Sequence, residues 1–237
     1  MKIGNRESKN APSPGFTLIE LLVVISIIGV LAGLTFPVIK SLKAAQQKRV
    51  ARAELEVIQT ALENYKARYG AYPPGNQNPA NLGSTPPYIP ALYSQLYYEL
   101  SGVALSGNNF TTLNGDQSLT PLQARAAYGV DGFVNCSRGS GDDATAARNF
   151  LPTLKQKQWS DSVTNSGVRT SVLITSVGGP DPTYQPLGGE DLNPFRYRYP
   201  GTNNPGSYDL WVQLKISGKT NLICNWSRKV TINSPMP

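Results

Sequence analysis

The sequence predicts an α+β protein: a long N-terminal α-helix, its first half apolar enough to lie in a membrane, packed on a C-terminal antiparallel β-sheet. Three observations carry that expectation. Residues 16–39 are almost wholly apolar, with Glu20 as the only charge. From Leu55 to Tyr69 apolar residues then recur three or four apart, which marks one face of a helix. Far downstream, Tyr208, Leu210, Val212, Leu214 and Ile216 alternate with Asp209, Trp211, Gln213 and Lys215, the period of a strand.

Composition removes many functions. The chain has 237 residues and no histidine, so Ser-His-Asp, Cys-His and zincin chemistry are excluded. Its two cysteines, Cys136 and Cys224, form no CxxC pair, which speaks against structural zinc or an iron–sulfur cluster. The net charge of +7 comes with no dense basic run outside residues 40–52, so no nucleic-acid partner is expected.

Residues 1–15, "MKIGNRESKNAPSPG", form a short polar leader with Lys2, Arg6 and Lys9 against Glu7. As a helix, residues 16–39 span roughly 35 Å, enough for a hydrocarbon core. Such a segment is a signal peptide, a plain anchor, or a segment processed before its apolar run. "VLAGLTFP" is a poor small-x-small cleavage site, and the run is too long for a signal peptide. A carboxylate at mid-bilayer costs about 2.5–3.5 kcal/mol, so Glu20 calls for a partner. Pro37 lacks an N–H and clashes with the preceding turn; with Gly29 and Gly33 it predicts a kink or local melting.

Residues 40–70 continue the helix in amphipathic form, through Val50, Leu55, Ile58, Leu62, Tyr65 and Tyr69. Gly70 can end it, and Pro73-Pro74 prevent continuation. Residues 71–189 are rich in Gly, Asn, Ser and Pro and read as a loop-rich insertion. Short helices are expected in "IPALYSQLYYELSG", "TPLQARAAYG" and "DDATAARNFLPTLKQK", and a strand at residues 168–177. Residues 190–237 supply the antiparallel sheet: "FRYRY", then "SYDLWVQLKIS" turning through Ser217-Gly218-Lys219 into "TNLICNW", and "RKVTI" as a weak last strand. Acidic pairs Asp142-Asp143 and Glu190-Asp191 lie in Gly-rich stretches and read as turns or caps, so no catalytic residue is assigned.

The residues "GFTLIELLVVISIIGVLAGLTFP" resemble the signature of the type IV pilin-like family. "ENYKARYGAYP" and "EDLNPFRYRYPG…YDLW" are most similar to the major pseudopilin of type II secretion, here interrupted by the long insertion. The resemblance implies a pilin-like fold, prepilin peptidase cleavage between Gly15 and Phe16, and N-methylation of Phe16. It further implies polymerisation through the N-terminal helix, with the Phe16 amine of one subunit pairing Glu20 of the next. The partners implied are copies of itself, minor pseudopilins, the peptidase, an inner-membrane assembly platform and membrane lipid. The globular part would lie in the periplasm on a single-pass inner-membrane anchor. Lys40, Lys43, Lys48, Arg49 and Arg52 after the span would by simple count face the cytoplasm, opposite to that topology.

Periplasmic exposure would allow a Cys136–Cys224 disulfide, with two separate buried thiols as the alternative. The subfamily's acidic, Gly-rich calcium loop is missing after Tyr-Asp-Leu. Glu190, Asp191 and Asp209 make a thin oxygen set, so no cofactor is expected and calcium stays an open alternative. The function implied is a structural, non-enzymatic pseudopilin that supports protein export. A type IV pilus subunit (adhesion, motility or DNA uptake) and a non-polymerising membrane-anchored binding domain are the alternatives.

Overall fold

The computed structural model describes residues 15–78, 89–139, 146–177 and 192–233; within helix α1 the side chains of residues 34–40 are not described. The chain divides into two compact units, Met1–Lys43 and Ala44–Pro237. Helix α1, Leu18–Tyr69, contributes to both. In the first unit its described large apolar side chains, from Leu18 to Leu31, are exposed.

In the second unit α1 buries Ala51, Leu55, Ile58, Ala61, Leu62 and Tyr65, the three-and-four spacing that the sequence predicts. Gly70 ends the helix as expected: its N–H bonds the Lys66 carbonyl at 2.8 Å and its φ of +78° lies in the left-handed region.

Past α1, the short helices α2 (Ile89–Leu92) and α3 (Leu96–Ser101) fall where the sequence places them. Strands β1 (Val103–Ser106), β2 (Asn109–Thr112), β3 (Ser118–Leu119) and β4 (Cys136–Ser137) form a sheet in the order β3-β2-β1-β4, parallel only between β1 and β4. Helix α4, Pro121–Tyr128, is framed by a Thr120/Gln123 capping box, Pro121 in its first turn and left-handed Gly129 after it. A two-stranded hairpin follows, β5 (Trp159–Asn165) and β6 (Val168–Leu173). The insertion is therefore richer in sheet than expected.

The third helix expected in the insertion is not formed among the described residues. Residues 142–145 lie outside the described residues, and 146–149 are non-helical. Asn135 explains this: its side chain accepts from the Arg148 N–H at 2.8 Å and donates to the Arg148 carbonyl at 2.6 Å. Asn149 Oδ1 then takes the Leu151 N–H. Only a 3₁₀ turn, Gln156–Gln158, precedes β5.

The C-terminal sheet holds β7 (Arg196–Arg198), β8 (Asp209–Ile216), β9 (Lys219–Cys224) and β10 (Thr231–Ile232), all antiparallel in the order β10-β9-β8-β7. Of β8 only Lys215 is exposed. Leu210, Val212, Leu214 and Ile216 join the main core, while Trp211 packs with Ala91, Leu222 and Cys224 on the other face. Ala91 of α2 packs on that second face.

Buried polar groups tie the insertion and sheet to α1. Glu99, fully buried on α3, accepts from the Tyr65 hydroxyl at 2.9 Å and from the N–H groups of Val134 and Asn135 at 2.9 and 3.0 Å. Burial raises its pKa, opposed by those three donors. Glu54 on α1 accepts from Thr175 Oγ1 at 2.6 Å, from Ser176 Oγ and N–H, and from Gln158 Nε2 at 3.2 Å. Arg52 donates to the carbonyls of Cys224, Ser227 and Arg228. Cys136 and Cys224 are both free and buried, in separate apolar clusters, so the expected disulfide is not formed.

Candidate functional site

The N-terminal segment carries the residues singled out for processing and assembly. Gly15, Phe16 and Thr17 precede α1 as non-helical backbone, and Phe16 is 83% exposed. The bond between Gly15 and Phe16 thus lies outside the helix.

Glu20 also has a local role, at the start of its own helix. Its Oε2 accepts from the Thr17 N–H at 2.8 Å and from the Thr17 hydroxyl at 2.7 Å, while Thr17 Oγ1 receives the Glu20 N–H at 3.3 Å. This is a reciprocal capping box that satisfies donors left open at the start of a helix. The signal T-x-x-E stands in the sequence as Thr17–Glu20, and could have been read there as a cap. Oε1 has no hydrogen-bond partner among the described residues. One carboxylate therefore holds its own helix start and keeps an oxygen for a second donor.

Behind the cap, α1 shows apolar side chains on every side. Leu18, Ile19, Leu21, Leu22, Ile25, Ile27, Ile28, Val30 and Leu31 are each more than half exposed. Such a surface is too large and too apolar to remain in water unpartnered. Ser26 returns its hydroxyl to the Leu22 carbonyl at 2.7 Å, so its one polar group is satisfied within the helix. A Cβ added at Gly29 or Gly33 would meet no atom within 4 Å, so neither glycine is required by packing within the subunit. Among the described residues, no helix is long and apolar enough to cross a membrane. The described side chains of this apolar part end at Gly33, before the run in the sequence does. Helix α1 passes through Pro37 without a break.

Of the candidate calcium ligands, only Asp209 lies among the described residues. Glu190 and Asp191 lie outside the described residues, as do Asp142 and Asp143. Asp209 is fully buried and already engaged: its carboxylate accepts the N–H groups of Thr202, Asn203 and Asn204 at 2.8, 2.8 and 3.0 Å. No group of three or more carboxylate or cysteine side chains suited to a metal occurs among the described residues.

Residues 13–36 match the family described as the prokaryotic N-terminal methylation motif. The chain is 38% identical over 135 residues to type II secretion system core protein G of Escherichia coli strain K12, covering 55% of this chain and 88% of that protein. Against the protein of the same name from Pseudomonas aeruginosa it is 41% identical over 63 residues, 27% of this chain and 44% of that one. A type IV major pilin protein, PilE1 of Neisseria gonorrhoeae, is 31% identical over 105 residues, 44% of this chain and 58% of the pilin. No solved structure matches the chain. With the methylation motif set at the capped start of an exposed apolar helix, and with these relatives, the chain belongs to the pilin-like family of pseudopilins and type IV pilins.

Proposed function

We propose that this protein is a structural subunit of a type II secretion pseudopilus. Prepilin peptidase removes residues 1–15, Phe16 is N-methylated, and the apolar part of α1 holds the subunit in the inner membrane until it joins a filament. In sequence that part runs to Ile39, long enough to span a bilayer. The observation that carries the proposal is the apolar surface of α1 directly after Gly15, unpartnered in the single subunit. Lipid covers it before assembly, and neighbouring helices cover it afterwards.

Glu20 then has two tasks. Oε2 caps the helix, and Oε1 accepts from the Phe16 amine of an adjacent subunit. Leaving a carboxylate unpaired among apolar helices is penalised, so the pairing selects one axial register. The subunit itself performs no catalysis; its work is mechanical.

A second reading, a type IV pilus subunit, is favoured by the likeness to a gonococcal major pilin. A non-polymerising anchored domain is the third. Intact mass of protein purified from its own host tests processing: the expected chain begins at methylated Phe16, and retention of residues 1–15 refutes the cleavage. Glu20→Leu tests assembly. Processed but unassembled subunits are expected, with export lost, whereas normal filaments and normal export would remove the register argument. Loss of motility or DNA uptake with export intact would decide for the pilus.

A further inference from the structure

We propose that Lys48 and Arg49 of α1, with Arg228 and Lys229 of the loop after β9, form a docking surface for the anionic headgroups of a phospholipid bilayer. The proposal rests on the membrane reading above and names a further contact with the same membrane. Positive charge is segregated along the chain. Residues 40–53 hold five basic side chains and no acid; residues 210–237 hold four and no acid. Those nine exceed the net charge of the whole chain, +7, so the remainder is net acidic.

The fold joins the two acid-free stretches. Arg52 donates to the carbonyls of Cys224 at 2.6 Å, Ser227 at 3.0 Å and Arg228 at 3.3 Å, which pins the loop against α1. Lys48 and Arg49 stand four and three residues before Arg52, on the same side of the helix. Arg49, Arg228 and Lys229 are exposed and Lys48 is half-buried. Beside them Trp226 is half-buried, its ring 5.8 Å from that of Trp211. An amphipathic indole next to basic side chains suits a bilayer interface.

None of the four basic residues forms an ion pair among the described residues, where the pairs are Arg125–Asp131 and Arg169–Asp161. Those pairs occupy Asp131 and Asp161, and Glu63 holds the Tyr72 hydroxyl, so a second copy has exposed Glu56 to set against four basic side chains. Asp116 is likewise committed, to Tyr97, Thr112 and Asn114. A lipid surface supplies what is missing. In sequence Lys48 lies nine residues after the apolar run, about 13 Å of helix. Headgroup depth, side-chain reach and a screening length of about 8 Å together cover that distance.

The test is hydrogen exchange, read by mass spectrometry, on the full chain in nanodiscs of phosphatidylcholine alone or with phosphatidylglycerol. Amides of residues 225–230 are expected to exchange at least about fivefold more slowly in the anionic discs. About 0.5 M salt should abolish the difference for the wild type. The triple variant Arg49→Glu, Arg228→Glu, Lys229→Glu should abolish it at low salt. Equal exchange in both disc types overturns the proposal, as does protection that persists in high salt. Protection that follows the number of chains per disc, whatever the lipid, gives the surface to a second copy and also overturns it. A chain that elutes free of discs refutes the membrane reading itself, a failure seen before any exchange is measured.

Discussion

Glu99 is a carboxylate with no access to water, and three donors do not fully compensate its burial. Its folded pKa is raised, so between the ordinary carboxylate value and the raised one the native state binds more protons than the unfolded state. Stability from this group is then present at acid pH and is lost as pH rises through the folded value. Glu99→Gln removes that dependence. The stability difference, wild type minus variant, should fall as pH goes from about 5 upward, read by urea unfolding of the second unit at several pH values. A difference that grows with pH would contradict a raised pKa. Asp209 makes a contrasting case, because its carboxylate closes the 201–208 loop by collecting backbone N–H groups. Asp209→Ala strands three donors around a buried position. A loss of about 2–3 kcal/mol in urea unfolding is expected, and added calcium should not restore it.

The elements differ in how much of them the sequence discloses. The amphipathic half of α1 and the helix of "TPLQARAAYG" are legible because their signals, spacing and caps, are local. Strand β8 is legible as a strand but not in its surroundings. Alternation says that one face is buried; it cannot say that Ala91, 120 positions earlier than Trp211, covers the other. Strand β5, "WSDSVTN", has little alternation and is fixed by its pairing with β6. The candidate site divides in the same way. Thr17 and Glu20 are three residues apart and readable. Glu54 meets Ser176 across 122 positions and Arg52 meets Cys224 across 172, which no local pattern announces. At the scale of one turn the physics is again local: Ser217 and Gly218 both take positive φ, 51° and 77°, the two-residue turn that matches strand twist between β8 and β9. A Cβ on Gly218 would meet no atom within 4 Å, so Gly218→Ala costs backbone strain alone. About 1 kcal/mol is expected from thermal unfolding, with Ser217→Gly neutral or slightly stabilising.

In the second unit as a whole, the insertion is held to the helix and sheet without covalent help. One continuous core takes Leu55, Leu62 and Tyr65 from α1, Tyr97, Phe110 and Phe133 from the insertion, and Tyr197, Leu210 and Leu214 from the C-terminal sheet. Buried carboxylates then fix the relative placement that apolar contacts leave degenerate: Glu99 bonds Tyr65 of α1, and Glu54 bonds the segment after β6. A disulfide between Cys136 and Cys224 would add constraint where packing and hydrogen bonds already specify one arrangement. Cys136 sits beside Val103 in the insertion sheet, and Cys224 sits opposite Trp211 in the other sheet. Burial also raises the Cys224 thiol pKa, which lowers its thiolate fraction and slows its oxidation. Protein purified without reductant, unfolded and alkylated should therefore carry two labels per chain by intact mass. Its melting temperature should be the same with and without reductant. A single species two hydrogens lighter and unlabelled, whose melting temperature drops on reduction, would show that a covalent bridge holds the insertion instead.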